Sequence, residues 1–264
     1  MIIFIITFVV ALAFSAIGFK KYVWFISIGY GFSIAAIGLT FFAIFGGGEY
    51  FFTRCATLLL LLYGLRLGGY LTFREMKVSS YNDKMKTEIK SGDGMKISAK
   101  IAIWVTAALL YACETSPLLF RLNSTKGTDF LLFLGVVISA FGLGFETLAD
   151  IQKNAAKKDN PKRFVDTGLY KIVRCPNYLG EMLFWTGVFF GSVNCLHNAF
   201  QWIAALLGYL GIIYVMFGGA RRLEIRQNRT YGDDPEYQNY VKSTPIMIPF
   251  VPLYSVEKYT WLVA

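Results

Sequence analysis

Gly168-Leu-Tyr-Lys-Ile-Val-Arg-Cys-Pro-Asn-Tyr-Leu-Gly-Glu181 runs directly into the apolar sequence Met182-Leu-Phe-Trp185. Pro176 has a fixed φ and no amide hydrogen, which suits the first turn of a helix, so a helix is predicted from about Cys175. Its first turn would carry unpaired N–H groups and the positive end of the helix dipole. With Lys171 and Arg174 just upstream, that setting favours an anion. Asn177 and Glu181 are four residues apart and share a face. Glu181 decides the setting, because an acid inside an apolar run is costly in a bilayer and has a task or a partner there. The same pattern also suits a membrane helix with ordinary interfacial residues at its end, and local physics leaves both readings open.

Working outward, the 264 residues are 55% apolar and 17% aromatic, with a mean hydropathy of +0.49. That composition is too apolar for an ordinary water-soluble domain and indicates an all-α, polytopic membrane protein. A single membrane domain is expected over 1–264, made of an N-terminal helical pair (1–49) and a core (50–264). Seven spans are predicted at roughly 1–19, 22–45, 50–73, 101–120, 130–148, 178–193 and 199–217, the sixth short or extended into the interface. The first is expected to stay as a helix, since no basic residue precedes its apolar core and Lys20-Lys21 stand where a cleavage site would lie.

Basic residues set the expected orientation. Two lie between spans one and two, seven in 74–100, seven in 153–174 and six from Arg221 onward, giving 22 of 26 on one side. The positive-inside rule places that side in the cytoplasm, with the N-terminus outside and the C-terminus inside. The net charge of +9 then reads as a topology signal with affinity for anionic lipid and a phosphorylated cofactor, not for nucleic acid. Cys55, Cys113, Cys175 and Cys195 show no paired spacing, so neither a disulfide framework nor a metal site is expected. The one histidine, His197, falls in an external loop and is assigned no chemistry.

Other stretches do carry chemistry. Tyr63, Arg66, Tyr70 and Arg74 recur at intervals of three or four, which aligns them on one helical face. Arg66 either snorkels to the head groups or, with its neighbours, forms a cavity wall that offers aromatic faces and fork-shaped donors for phosphate. Glu114, in Cys113-Glu-Thr-Ser-Pro117, is either a substrate contact or an interfacial acid at a helix end. Glu146, Asp150, Lys153 and Lys157 also share a face, as an ion-paired helix leaving the membrane or as carboxylates for ribose and lysines for phosphate. The polar loop over 74–100 is expected to be partly helical and mobile. The basic, aromatic segment from Arg221 through Tyr240 to Pro249 is expected to be cytoplasmic and to close over the same site.

Three of these segments together resemble a known family. Glu146-x-x-x-Asp150-x-Gln-Lys, Gly168-Leu-Tyr and Arg174-Cys-Pro-Asn-Tyr-Leu-Gly-Glu181, with Glu236-Tyr-x-x-Tyr240 and Ile248-Pro-Phe250, resemble the C-terminal domain of steroid 5-alpha-reductases and related bacterial membrane proteins. The Arg-x-Pro-x-Tyr core is also similar to that of sterol C14-reductases and of isoprenylcysteine and phospholipid methyltransferases. The resemblance covers about 55–252. It implies a seven-helix reductase that takes NADPH from the cytoplasmic side and a lipidic enone from the bilayer. By position it makes Tyr63 the catalytic tyrosine, and gives Arg66, Tyr70, Asp150, Asn177 and Glu181 contacts to the cofactor. Glu146, Lys157, Arg174 and Tyr240 are further matches of the same kind. Two departures stand out: the Tyr30–Phe42 stretch has no acid where the steroid enzymes carry a Gln-Glu pair, and Cys175 stands where the methyltransferases usually have histidine.

The expected function is therefore NADPH-dependent reduction of a carbon–carbon double bond conjugated to a carbonyl, in a bacterial inner membrane or endoplasmic reticulum. The alternatives are an S-adenosylmethionine-dependent lipid or prenylcysteine methyltransferase, and a non-catalytic lipid- or sterol-binding membrane protein.

Overall fold

The computed structural model describes residues 1–77, 94–124 and 126–263; most of the polar 74–100 loop lies outside them. Among the described residues there are eight α-helices and no strand: α1 (Ile2–Ser15), α2 (Ile28–Phe45), α3 (Phe51–Lys77), α4 (Ile97–Leu122), α5 (Phe130–Asp159), α6 (Pro176–Phe190), α7 (Ala199–Tyr231) and α8 (Pro235–Ser243). Short 3-10 turns follow α1 and precede α2, α6 and α7.

Among the described residues six helical stretches are long and apolar enough to cross a membrane: Ile2–Phe19, Tyr22–Phe45, Phe51–Met76, Ile97–Leu122, Phe130–Asp159 and Ala199–Tyr231. The segment expected to be the sixth span is the 15-residue α6. At 1.5 Å per residue it reaches about 22 Å, short of the ~30 Å hydrocarbon core. Its apolar run ends at Gly191-Ser192, where the chain turns into Val193–Cys195. Helix α5 continues to Asp159 beyond its apolar run, as its charged face predicts.

The described chain forms two compact units. The first comprises Met1–Val136 and Val188–Tyr209. Its α2 and α3 touch backbone to backbone through glycines. A Cβ on Gly31 would lie 2.4 Å from the Gly68 amide nitrogen, and one on Gly64 would lie 2.3 Å from the Ala35 nitrogen. Close approach of this kind is how helices associate where lipid removes the hydrophobic drive. Helix α1 is tied in by Ser33 Oγ and Trp104 Nε1, which donate to the Ala11 and Leu12 carbonyls at 3.2 and 2.9 Å. Arg121, 1% exposed, gathers the loops at one end. It donates to the Gly191 and Gly127 carbonyls, to Asn194 Oδ1 and to Asp129 Oδ2, all at 2.7–3.0 Å.

The second unit comprises Val137–Gly187 and Leu210–Ala264. Here α5 and α6 meet through glycines: a Cβ on Gly142 would lie 2.5 Å from the Phe184 nitrogen, and one on Gly180 would lie 2.6 Å from the Glu146 nitrogen. Gly168 adopts φ +61, and a Cβ there would strike the Gln152 side chain. The Gln152 Oε1 accepts from the Leu169 N–H at 2.8 Å, so the Gly168-Leu-Tyr turn docks on α5 over a core of Ala149, Val165 and Tyr170. Only glycine serves at that position, because both the left-handed φ and the space require it.

Candidate functional site

In the first unit the α2–α3 contact seals Tyr63 completely, at 0% exposure, and brings the Tyr30 hydroxyl to 3.0 Å from its own. Either hydroxyl can donate to the other. The Tyr111 ring of α4 lies against Tyr30 with centroids 4.9 Å apart, and its hydroxyl donates to the Phe25 carbonyl at 2.8 Å. Sequence reasoning found Tyr63 but missed Tyr30 and Tyr111. The available signal was Gly29-Tyr30-Gly31, a tyrosine flanked by glycines on an apolar helix.

The rest of the α3 stripe forms a stack. The Arg66 and Arg74 guanidiniums each lie 5.5 Å from the centre of the half-buried Tyr70 ring, within cation–π range. Glu114 is not an interfacial acid at a helix end. It is 2% exposed and eight residues short of the end of α4, where Gly208 packs against its backbone nitrogen. Burial there follows from that close helix contact, which local hydropathy does not register.

In the second unit three acids expected to hold the cofactor are enclosed: Glu146 (3%), Asp150 (7%) and Glu181 (6%). The Gly180 contact sets the turn carrying Glu181 against the turn carrying Glu146. Asn177 is half-buried in the first turn of α6. This grouping offers acceptors and an amide, which suit hydroxyls and a carboxamide.

The cations placed beside it are engaged elsewhere. Arg174 Nη2 donates to Glu224 Oε1 at 2.8 Å and to the Tyr254 carbonyl, and both side chains of the ion pair are 1% exposed. The Arg174 and Cys175 amides donate to the Pro245 and Ile246 carbonyls at 2.9 and 3.0 Å. Lys157 Nζ donates to the Pro161 and Arg163 carbonyls and to the Tyr231 hydroxyl. The Tyr240 hydroxyl donates to the Tyr170 carbonyl at 2.7 Å, and its ring stacks on Phe164. Arg174, Lys157 and Tyr240 thus fasten this unit together. The anion-favouring setting read upstream of α6 is closed by the chain's own final segment.

Burial also holds the ionisable groups around these fastenings neutral. Burial pushes the Cys175 thiol up to about 12, against the pull of Arg174 and Lys153. Burial likewise raises Tyr237 to about 12 and lifts Tyr240 well above the usual phenol value. None of the three is an acid or nucleophile near neutrality. His197 is exposed, and its backbone amide donates to Gln201 Oε1.

No curated protein and no solved structure matches this chain. Residues 13–244 match the family described as a protein of unknown function, DUF1295. The match runs from the last turn of α1 through α8, and the chain therefore belongs to the DUF1295 family.

Proposed function

We propose that this protein is a membrane-embedded, NADPH-dependent reductase of a carbon–carbon double bond conjugated to a carbonyl in a lipidic substrate. The observation that carries the reading is the enclosed Tyr63–Tyr30 hydroxyl pair at 3.0 Å. A phenol held against a second phenol can donate to a carbonyl oxygen while its partner steadies the charge that develops on it. In this reading Tyr63 donates to the enone carbonyl, a role worth about 2–4 kcal/mol in the transition state.

The residues fit NADPH in part. Asp150, Glu146 and Glu181 suit ribose hydroxyls, and Asn177 suits the carboxamide. Arg174 and Lys157 are engaged within the protein, so phosphate falls to other cations of the second unit, among them the exposed Lys158, Lys162 and Lys171. NADPH when bound supplies a hydride, which goes to the β-carbon of the enone; a proton from the medium completes the saturated ketone. The basic face is read as cytoplasmic, and the cofactor as entering from that side. The test is NADPH oxidation by purified protein over a panel of lipidic enones. Turnover lost in Tyr63→Phe and kept in Tyr240→Phe supports the assignment, whereas full turnover in Tyr63→Phe removes Tyr63 from the chemistry.

A further inference from the structure

The segment after Ser243 does not trail away from the helices. It folds back along α7, and the bonds give its path. Val256 N–H donates to Glu224 Oε2 at 2.8 Å, Asn228 Nδ2 to Glu257 Oε2 at 2.7 Å, and Arg221 Nε to the Glu257 carbonyl at 2.9 Å. Further along, the Tyr214 hydroxyl donates to the Trp261 carbonyl at 2.7 Å and accepts from the Val263 N–H at 3.2 Å. The Tyr214 and Trp261 rings stack with centroids 6.2 Å apart. From Asn228 to Tyr214 the segment climbs fourteen helical residues, about 21 Å.

Its upper end lies beside apolar helix. Between Tyr214 and Arg221 the sequence is Val-Met-Phe-Gly-Gly-Ala, with no polar side chain, inside one of the stretches able to cross a membrane. Tyr214 is seven residues, about 10 Å, beyond the last charge. At that level the strap turns Leu262 inward (3% exposed) and Trp261 and Val263 outward (64% and 74%). Lys258, exposed, and Arg221 stand at the level of the charges. Farther back, Phe250 is fully exposed and is held at φ +65, in the left-handed region where a bulky side chain is strained. No burial within the chain rewards that conformation.

We propose that residues 245–263 form a strap seated in the lipid bilayer interface, with Trp261 and Val263 among the acyl chains and Lys258 and Arg221 facing anionic head groups. The occupant of the exposed face is the protein's own membrane. An amphipathic ring next to apolar helix, with cations one level below, matches how tryptophan and basic side chains divide at a bilayer edge. Because Arg174 and Glu224 grip Tyr254 and Val256, the lipid contact is linked to the start of α6.

The experiment reconstitutes the full chain into vesicles of phosphatidylcholine and phosphatidylglycerol, with plain or brominated acyl chains. The emission difference between wild type and Trp261→Phe isolates Trp261 from the other four tryptophans. We expect that difference to be largely lost in brominated vesicles and untouched by aqueous acrylamide. Equal emission in both vesicle types with quenching by acrylamide places Trp261 in water and overturns the proposal. Shielding from both quenchers means that protein covers it, and overturns the proposal equally. If Trp261→Phe is unstable, a nitroxide on Val263→Cys gives the same answer: collisions with oxygen exceeding those with an aqueous nickel chelate support the strap, and the reverse refutes it.

Discussion

Tyr63 in the first unit and Tyr240 in the second both lie among aromatic rings, and their hydroxyls are used in opposite ways. Tyr240 donates to a backbone carbonyl, which can accept but never return a proton, and its ring is pinned on Phe164. Tyr63 faces another hydroxyl, so either oxygen can serve as donor and the proton has somewhere to go. The same contrast runs through the charged groups. Arg174 closes on Glu224 with both side chains sealed at 1%, whereas Arg121 closes on an Asp129 that is 23% exposed. Through one nitrogen bonded to a carboxylate and a carbonyl, Arg174 holds the chain together. The proposed function gives its chemistry to the hydroxyl of the other kind, Tyr63.

That contrast can be broken most sharply at the sealed pair. Arg174→Gln leaves the Glu224 carboxylate enclosed without its counter-charge, and is expected to cost about 3–5 kcal/mol of stability in thermal unfolding. A near-neutral outcome would mean that the pair is not sealed in the folded protein. The next largest effect is on activity: Tyr63→Phe is expected to lower turnover about 30- to 900-fold, the equivalent of about 2–4 kcal/mol. Tyr240→Phe, at most, shifts stability. If both substitutions lower turnover alike, the distinction between the two tyrosines fails.

Smaller effects sharpen the account. Gly64→Ala pushes a Cβ into the Ala35 backbone and should cost about 1–3 kcal/mol, while Gly69→Ala on the same helix meets open space and should be neutral. Asp129 tests the less enclosed pair through pH. Burial works to raise its pKa, but the Leu132 N–H, Arg121 and Asn194 outweigh that and hold it below the usual carboxylate value. Its contribution is therefore present above the unfolded value, near pH 4, and is lost as pH falls through the lowered folded value. A Tm fall of about 2–4 °C across that acid window is expected in wild type and absent in Asp129→Asn.

Much of the fold was legible because an apolar run of membrane length is a local signal. The six crossing helices follow their predicted spans, and the start of α6 is marked by Pro176. Helix α6 was expected to be short, and at 15 residues it is. The local sequence of α2 does not name its partner, so Tyr30 was invisible as the neighbour of Tyr63, thirty-three residues away. Arg174 looked like a ligand-binding cation because its counter-ion, Glu224, is fifty residues further on. Glu114 was misplaced for the same reason, since Gly208 buries it from a distant helix.

The proposed reduction of a double bond requires that this chain bind NADPH. Its most direct test is the binding of NADPH and S-adenosylmethionine to the purified, full-length protein by titration calorimetry, with Asp150→Asn beside the wild type. NADPH is expected to bind, and to bind at least about tenfold more weakly in Asp150→Asn, the loss expected for one hydrogen bond to a charged group. Binding of S-adenosylmethionine in its place, or of neither molecule, would contradict the proposed function.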